Sequence, residues 1–309
     1  MKLLPISSES TLKKCRAFDT GKDAVFIVSY PKSGTTWLQA CVFHLIAREL
    51  ENNGERGPRL DHISHYAPFF EIDRTWKEGD EPQLAACYNE AHAAMRRRVF
   101  NTHLLPDMLP PSGRVIYVIR NARDVAFSFY HHLSNQDNES GGSQWSSFDE
   151  FVDDALQGNL PYGKWIDHVT TWLSYLEGEG SQKVLLLGYE DLCNDLPACL
   201  LKICQHLNLS LKAEDIDFVA PSLSFESMSK DRSKYEPISV KWKDGYNFLR
   251  RGVVNDSHSA FFDSSSTGSS EPEPTNLGRM YQAAMNEELE SVKQSYSPSV
   301  FERVSSLSL

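Results

Sequence analysis

A strand-like run that ends in a lysine-containing loop and continues as a helix constrains this chain more than any other feature. Residues 25–30 are mainly apolar and β-branched, residues 32–36 are polar and include one glycine, and residues 37–50 have helical periodicity. Where a strand turns directly into a helix, free backbone N–H groups and the helix dipole point at one spot, and Lys32 adds a positive charge there. The segment therefore predicts a phosphate-binding loop in an α/β fold.

Strand-like and helix-like segments alternate along the chain. This alternation is typical of a mostly parallel sheet that is flanked by helices on both faces. A chain of 309 residues with 40% apolar residues can bury one large α/β core, and we predict a single domain over residues 1–309. The predicted strands are 25–30, 98–102, 115–119 and 184–189, and the predicted helices include 37–50, 122–131, 148–156 and 197–206.

Polar side chains lie at or just beyond the ends of all four predicted strands. Lys32, His103, Arg120 and Tyr189 occupy these positions. Because the carboxyl ends of parallel strands meet at one edge of the sheet, where α/β proteins bind ligands, these four residues are predicted to share one site.

Composition excludes several classes of function. The formal net charge of −11 argues against a nucleic-acid partner and requires any anion site to be local and concave. Six cysteines without a Cys-x-x-Cys pair indicate reduced core residues, and no cluster has metal-ligand spacing. The chain shows neither a signal peptide nor a membrane span, so we expect a cytoplasmic protein.

Two segments depart from the alternating pattern. We expect residues 1–17 to form a flexible N-terminal arm. Residues 257–276 are rich in serine and proline and are too polar to pack, which predicts a mobile surface loop.

The phosphate loop differs from the common P-loop, in which the lysine follows a second glycine. As it stands, Tyr30-Pro-Lys-Ser-Gly-Thr-Thr-Trp37 resembles the 5′-phosphosulfate loop of cytosolic sulfotransferases. That family moves a sulfuryl group from 3′-phosphoadenosine 5′-phosphosulfate (PAPS) to an acceptor. The resemblance implies that PAPS is the cosubstrate and that the loop holds it. The residues concerned are Lys32, Ser33, Gly34, Thr35, Thr36 and Trp37.

A second segment, Arg120-Asn-Ala-Arg-Asp-Val-Ala-Phe-Ser128, follows the third strand and resembles the 3′-phosphate motif of the same family. Arg120 offers a fork of donors and Ser128 a hydroxyl, and the resemblance implies that both bind the 3′-phosphate. The alternative is that Arg120 or Arg123 pairs with Asp124 on a solvated helix face.

The third segment, Asn101-Thr-His-Leu-Leu-Pro106, is similar to the family pattern Lys-Thr-His-Leu-Pro. The resemblance implies that His103 is the general base, a task for which a pKa near neutrality suits imidazole. Lys32 would then stabilise the leaving phosphate. Asn101 stands where the family often has a lysine, which leaves more of the charge stabilisation to Lys32.

Three aromatic residues and a C-terminal segment complete the nucleotide site that the resemblance implies. Trp37 and Phe225 would stack on adenine and Tyr189 would contact it, although core packing is the commoner fate of aromatics. The segment Arg250-Arg251-Gly252 matches the start of a family motif that contacts the 3′-phosphate. Beyond it the motif is lost, since Asn255, Ser257 and His258 replace a glycine, a tryptophan and a lysine. This loss predicts a looser lid over the nucleotide.

The acceptor site is the least defined in the sequence. The segment from His65 to Glu71 resembles one that lines the acceptor site in the family, and aromatic residues near Ser128 extend it. An apolar, aromatic pocket suits a small lipophilic molecule with a hydroxyl or amine. The predicted acceptor-binding residues are Tyr66, Phe69, Phe70, Phe127 and Tyr130.

The sequence therefore predicts a PAPS-dependent sulfotransferase that needs no metal. An impaired relative that binds the nucleotide without turnover is the first alternative, because of Asn101 and the altered C-terminal motif. A nucleotide kinase is a weaker one, because a second loop glycine and a clear acidic magnesium ligand are both missing. A monomer and a weak homodimer are equally compatible with the sequence.

Overall fold

The computed structural model describes residues 2–21, 24–76, 90–137, 144–263 and 272–308. Its central sheet has four parallel strands in the spatial order β2-β1-β3-β4. Val25 pairs with both Val99 and Arg114, and Val115 pairs with Val184. All four predicted strands are confirmed, with ends that differ by a single residue. They are β1 (Val25–Ser29), β2 (Val99–Thr102), β3 (Arg114–Ile119) and β4 (Val184–Gly188).

Helices flank both faces of this sheet, as predicted. The four predicted helices correspond to α2, α5, α6 and α9 below. The helices are α1 (Glu9–Ala17), α2 (Thr35–Asn52), α3 (Ile63–Tyr66), α4 (Glu90–Met95), α5 (Ala122–Ser134), α6 (Phe148–Gln157), α7 (Trp165–Glu177), α8 (Tyr189–Asn194), α9 (Leu196–Leu207), α10 (Ala213–Val219), α11 (Phe225–Lys230), α12 (His258–Phe261), α13 (Asn276–Ser295) and α14 (Pro298–Ser308). Short 3₁₀ turns cover Asp73–Trp76, Pro106–Met108, Ala220–Leu223 and Arg232–Lys234.

Strand β1 is buried along its whole length and contributes side chains to two apolar cores. Phe26 and Val28 belong to one core, and Val25 and Ile27 belong to the other. This follows from the two-residue period of a strand, which directs successive side chains to opposite faces. Helix α2 packs in the second core, whereas α7, α13 and α14 pack in the first. The sheet is thus fixed between two helical layers, and its carboxyl edge stays open.

The N-terminal segment is more ordered than the predicted flexible arm. Helix α1 begins after Ser8, whose hydroxyl accepts a hydrogen bond from the N–H of Thr11. Asp73 ties this turn to the body of the protein, because its carboxylate accepts from the Ser8 N–H and from the Thr11 hydroxyl. Cys15 is completely buried. The prediction of a flexible arm is therefore wrong for residues 9–17, since an amphipathic helix with a buried face replaces it.

The predicted loop over residues 257–276 is also partly structured. Ser257 and Phe261 are buried, and α12 spans the residues between them. A short antiparallel pair, β5 (Phe262–Asp263) and β6 (Glu273–Pro274), closes the segment before α13. The polar composition of the segment gave no indication that Phe261 packs in the core. Residues 264–271 of the predicted loop lie outside the described part of the chain.

Among the described residues, no helix is both long and apolar enough to cross a lipid bilayer.

Candidate active site

A cavity of about 1190 Å³ opens where the four parallel strands end. Lys32, His103, Arg120 and Tyr189, which follow β1, β2, β3 and β4, all line it. The expected convergence of these residues at one edge of the sheet is therefore present. The lining contains every predicted nucleotide-binding residue except Ser33, namely Lys32, Gly34, Thr35, Thr36, Trp37, Arg120, Ser128, Tyr189, Phe225, Arg250, Arg251 and Gly252.

The loop between β1 and α2 has the backbone geometry of an anion-binding turn. Lys32 and Gly34 both have positive φ angles, of 67° and 110°. Gly34 is the N-cap of α2 and provides no side-chain cap, so the N–H groups of the first turn have no partner within the helix. Because a β-carbon at Gly34 would lie 2.8 Å from the Tyr189 ring, only glycine fits there. Ser33 is buried below the loop, and its hydroxyl has no hydrogen-bond partner among the described residues.

The Lys32 ammonium lies inside the cavity among aromatic rings. Its Nζ is 3.3 Å from Nδ1 of His132 and 4.2 Å from the centre of the Phe248 ring. Burial, aided by the positive charges of Arg120 and Arg250, lowers the pKa of Lys32 to about 7. An anion bound beside Lys32 would reverse this shift, since opposite charge favours the protonated form.

His103 is held in one orientation by backbone contacts on two sides. Its Nδ1 lies 2.7 Å from the Ser29 carbonyl oxygen, and its backbone N–H donates to Glu71 Oε1 at 2.8 Å. A carbonyl oxygen only accepts, so Nδ1 carries the hydrogen and Nε2 keeps its lone pair. Burial, followed by the charge of Lys32, lowers the pKa of His103 to about 4 despite the bond to Ser29. The imidazole is therefore neutral at physiological pH.

Two buried groups that support His103 were missed in the sequence. Glu71 Oε1 also accepts a hydrogen bond from the Tyr162 hydroxyl, and burial raises the pKa of Glu71 to about 7. Nε2 of His168 lies 3.1 Å from the His103 carbonyl oxygen. Glu71 ends the segment that resembles an acceptor-lining one, but nothing in that segment indicated a contact with His103, and His168 belongs to no recognised motif. Their roles depend on contacts between segments that are far apart in the chain.

Arg120 is buried at the end of β3, where its guanidinium lies 4.1 Å from the centre of the Tyr189 ring. Its Nη2 is 3.3 Å from Asp124 Oδ2. The alternative of an Arg120–Asp124 pair is thus present, but the pair is buried and not on a solvated helix face. Nε of Arg120 has no hydrogen-bond partner among the described residues, which leaves donor capacity for a bound anion.

Asp124 also anchors the altered C-terminal motif. Its carboxylate accepts hydrogen bonds from the N–H groups of Asn255 and Ser257 and from the Ser257 hydroxyl, at 2.9, 3.0 and 2.8 Å. Asn255 and Ser257 are therefore tied to α5 through Asp124. The looser lid over the nucleotide stays a prediction.

Arg250 and Arg251 share one carboxylate. Arg250 forms an ion pair with Asp256, and Arg251 Nη1 lies 3.1 Å from Asp256 Oδ1. Gly252 has a φ of 65°, and a β-carbon there would overlap the Phe225 ring at 2.3 Å. Close approach of the backbone to Phe225 therefore requires this glycine.

The predicted adenine residues lie close together. Trp37 and Tyr189 make an edge contact at 5.7 Å, and the Trp37 indole N–H donates to the Leu223 carbonyl oxygen at 2.8 Å. Phe225 exposes 39% of its surface, which leaves a ring face for stacking.

Of the five predicted acceptor-binding residues, only Phe69 lines the cavity, where its ring meets His103 edge-on at 5.4 Å. Tyr66 is buried and donates to the Arg59 carbonyl oxygen, and Phe70 lies in the core against Phe26. Phe127 and Tyr130 both pack against Phe148. The prediction is therefore wrong for Tyr66, Phe70, Phe127 and Tyr130.

Backbone geometry explains these errors. Phe69 and Phe70 are neighbours in an extended segment beside β2, so one side chain enters the cavity and the other the core. On α5, Ser128 and His132 are one turn apart and both line the cavity, whereas Phe127 and Tyr130 occupy other faces.

The cavity is also lined by segments that the sequence did not indicate. Residues 2–6 line it, together with residues 237–240 and Phe248. Asn101 lines it as well, but its side-chain amide donates to the Ala67 carbonyl oxygen at 2.6 Å. One of its two amide N–H groups is therefore engaged by the backbone. In the described ranges, no group of three or more His, Cys, Asp or Glu side chains is arranged to hold a metal ion.

Comparison with known proteins adds an independent observation. Residues 22–267 match the family described as the Sulfotransferase domain. Sulfotransferase 1E1 of Homo sapiens is 33% identical over 248 residues, which cover 78% of this chain and 79% of that protein. Sulfotransferase 2A1 of Homo sapiens is 30% identical over 256 residues, covering 80% of this chain and 81% of that protein.

Two solved structures share the fold. Mouse sulfotransferase SULT7A1 complexed with PAP has a TM-score of 0.67 at 23% identity and covers 98% of this chain and 95% of its own. Retinol dehydratase in a complex with retinol and PAP has a TM-score of 0.67 at 20% identity, covering 93% and 87%. The predicted family is thus confirmed, and the chain belongs to the sulfotransferase family.

Proposed function

We propose that this protein transfers the sulfuryl group of PAPS to a hydroxyl or amine of a small, lipophilic acceptor. One observation carries the proposal: the neutral imidazole of His103 and the ammonium of Lys32 line the same cavity, directly beyond the anion-binding turn at Gly34. A base and a leaving-group cation at the carboxyl edge of a parallel sheet fit in-line transfer between an anionic donor and a hydroxyl.

In this mechanism, Nε2 of His103 accepts the proton of the acceptor hydroxyl as its oxygen bonds to sulfur. The bond between sulfur and the bridging phosphate oxygen breaks, and its electron pair stays on adenosine 3′,5′-bisphosphate (PAP). Lys32 stabilises the charge that develops on this oxygen. The Ser29 carbonyl keeps the His103 proton on Nδ1, so the basic nitrogen remains Nε2. A positioned base of this kind is typically worth ~10²–10⁴ in rate.

The arrangement of cations supports a nucleotide with two separate phosphate groups. The turn at Gly34 and Lys32 would hold the 5′-phosphosulfate. Arg120, Ser128 and the Arg250–Gly252 segment, on other elements of the same cavity, would hold the 3′-phosphate. The two solved relatives with PAP share this fold, which is consistent with the assignment.

Apolar side chains dominate the acceptor end. They come from the N-terminal segment, from the stretch after Pro237 and from Phe69, and they leave His103 exposed to the cavity between them. A lipophilic acceptor would bury its apolar surface there and present a single nucleophile to His103.

The proposal is tested first by nucleotide-selective stabilisation. A ligand at 100 times its Kd stabilises by about 2.7 kcal/mol, which for a chain of this length is a rise in Tm of about 4 °C. We expect this rise with PAP and a smaller one with ADP or ATP plus magnesium. A preference for ATP would reject the assignment in favour of the kinase alternative.

Turnover separates an active enzyme from an impaired relative. Labelled PAPS incubated with a panel of phenols, alcohols and amines should give sulfated product. Selective binding of PAP without product from any acceptor would instead favour the impaired relative, in which Asn101 cannot supply the positive charge that a lysine would bring to the sulfuryl group. The cytoplasmic location and the choice between monomer and weak homodimer stay predictions.

A further inference from the structure

One polar side chain stands in the aromatic wall of the cavity near Lys32. The ring of His132 lies 5.0 Å from that of Trp242 and 5.9 Å from that of Phe248. It also lies 6.4 Å from the ring of Phe129. His132 lines the cavity and belongs to none of the motifs in the sequence. Burial of a polar group without a partner is unfavourable, so the hydrogen-bond partners of the two ring nitrogens of His132 decide its role.

Lys32 determines which nitrogen of His132 carries the proton. In its ammonium form, which a bound anion favours, Lys32 has three donors and no acceptor, so the 3.3 Å contact makes Nδ1 of His132 the acceptor. Burial and the charge of Lys32 lower the pKa of His132, so the ring is neutral. Its single hydrogen is therefore on Nε2. Among the described residues, Nε2 has no hydrogen-bond partner.

His132 shares one face of α5 with a predicted nucleotide ligand. Ser128, the predicted 3′-phosphate ligand, lies one helical turn earlier on the same face of α5. Lys32 has further N–H groups that remain for the phosphosulfate while one is given to His132. The neighbours of His132 on the cavity wall, Leu133 and Phe248, are apolar. The unpaired donor thus belongs to a side chain of the cavity wall with apolar neighbours.

We propose that His132 is a specificity-determining residue whose Nε2–H donates to a second oxygen on the acceptor, in addition to the hydroxyl that reacts at His103. The inference rests on the proposed function. The hydrogen bond from His132 selects acceptors that carry an ether, carbonyl or second hydroxyl oxygen near the nucleophile over acceptors of the same shape without that oxygen. Acceptors without that oxygen bind less well, because they leave the Nε2–H donor of His132 unpaired in the complex.

The experiment compares three methoxyphenols (2-, 3- and 4-) with the three ethylphenols of matching position, which have similar size but lack the ether oxygen. We expect the wild-type protein to prefer the methoxy member of at least one pair by about tenfold in kcat/KM, equivalent to one well-formed hydrogen bond. His132→Phe should reduce this ratio to near one. Because His132 also contacts Lys32, the test is the ratio within each pair and not the absolute kcat/KM of either phenol.

His131→Phe is the matched control. His131 neighbours His132 but packs against Phe127 and Tyr130 and does not line the cavity. This variant should keep the wild-type preference.

Affinity for the same phenols in the presence of PAP provides a second readout. Fluorescence of Trp242, which touches His132, should report it. If the wild-type protein sulfates none of the phenols, the proposed function fails for this class, and the binding ratio still decides the role of His132. Equal binding of each methoxy and ethyl pair would overturn the inference. An unchanged ratio in His132→Phe, or an equal loss of kcat with all six phenols, would overturn it as well.

Discussion

Glu71→Gln isolates the energetic cost of a buried carboxylate beneath the candidate base. Glu71 is completely buried, and burial raises its pKa from the ordinary 4.5 to about 7. The folded chain therefore favours the protonated carboxyl. The associated stability is fully present below pH 4.5 and is lost as the pH rises through 7. Raising the pKa from 4.5 to about 7 corresponds to about 3–4 kcal/mol, since a tenfold change in an equilibrium constant is worth about 1.4 kcal/mol.

Glutamine removes this pH dependence and keeps the contacts. Its side-chain oxygen can still accept from the His103 N–H and from the Tyr162 hydroxyl, the two donors that face Glu71 Oε1. At pH 8 the variant should be more stable than the wild-type protein by up to about 3 kcal/mol, and near pH 4.5 the difference should fall below about 1 kcal/mol.

Thermal unfolding at a series of pH values measures the difference. For a chain of this length, about 3 kcal/mol corresponds to a rise in Tm of roughly 5 °C. Asp73→Asn is a suitable control. Asp73 lies close in sequence and accepts hydrogen bonds from Ser8 and Thr11, which lower its pKa, so its removal should destabilise the protein at pH 8. A Glu71→Gln variant with the same pH dependence as the wild-type protein would refute the argument that Glu71 is forced to ionise in a buried site.

Four further predictions concern the cavity. Lys32→Ala should lower kcat by about 10²–10³ through loss of leaving-group stabilisation, measured with labelled PAPS, and unchanged turnover would reject that role. His103→Ala should lower kcat by about 10²–10⁴ with little change in PAP affinity, so a collapse of affinity in calorimetry would make His103 a binding residue. Because the pKa of Lys32 is about 7 in the free protein and should rise beside phosphate, PAP affinity should fall as pH increases above 7. Calorimetry in two buffers should then detect proton uptake on binding, and Lys32→Ala should abolish it. Phe69→Ala should raise KM for acceptors, whereas Phe70→Ala should instead lower the free energy of unfolding by about 3–5 kcal/mol, as denaturation would show.

Local sequence was sufficient to predict the sheet and the phosphate turn. The run that forms β1, the positive φ at Gly34 and the helix that follows all depend on residues within one short segment. The strand alternation also placed His103 and Arg120 correctly, because the carboxyl edge of a parallel sheet is a topological property.

Residues that depend on long-range packing were not predictable in this way. Glu71 and His168 support His103 from segments 32 and 65 residues away. The N-terminal segment lines the cavity because Asp73 fastens α1, a contact that no periodicity indicates. Predictions for aromatic residues were the least reliable. Phe69 and Phe70 are the same residue type, so composition does not distinguish them, yet they lie on opposite sides of one extended segment.

The charges in the cavity show which ligand would complete it. Arg120 is balanced by Asp124, and Arg250 and Arg251 are balanced by Asp256. The side-chain contacts of Lys32 within the described residues are with neutral groups, the His132 imidazole and the Phe248 ring. Burial and the positive charges of Arg120 and Arg250 destabilise the ammonium form of Lys32 and so lower its pKa, even though the chain as a whole has a net charge of −11. An anion at the turn beside Lys32 would remove this penalty, whereas an anion at Arg250 must first displace Asp256.

We therefore expect the 5′ group of the nucleotide to provide more of the binding free energy than the 3′-phosphate. Adenosine 5′-phosphosulfate should then lose less affinity relative to PAPS than a 3′-phosphate analogue without the 5′ group, and the opposite order in competition with PAP would contradict this electrostatic account.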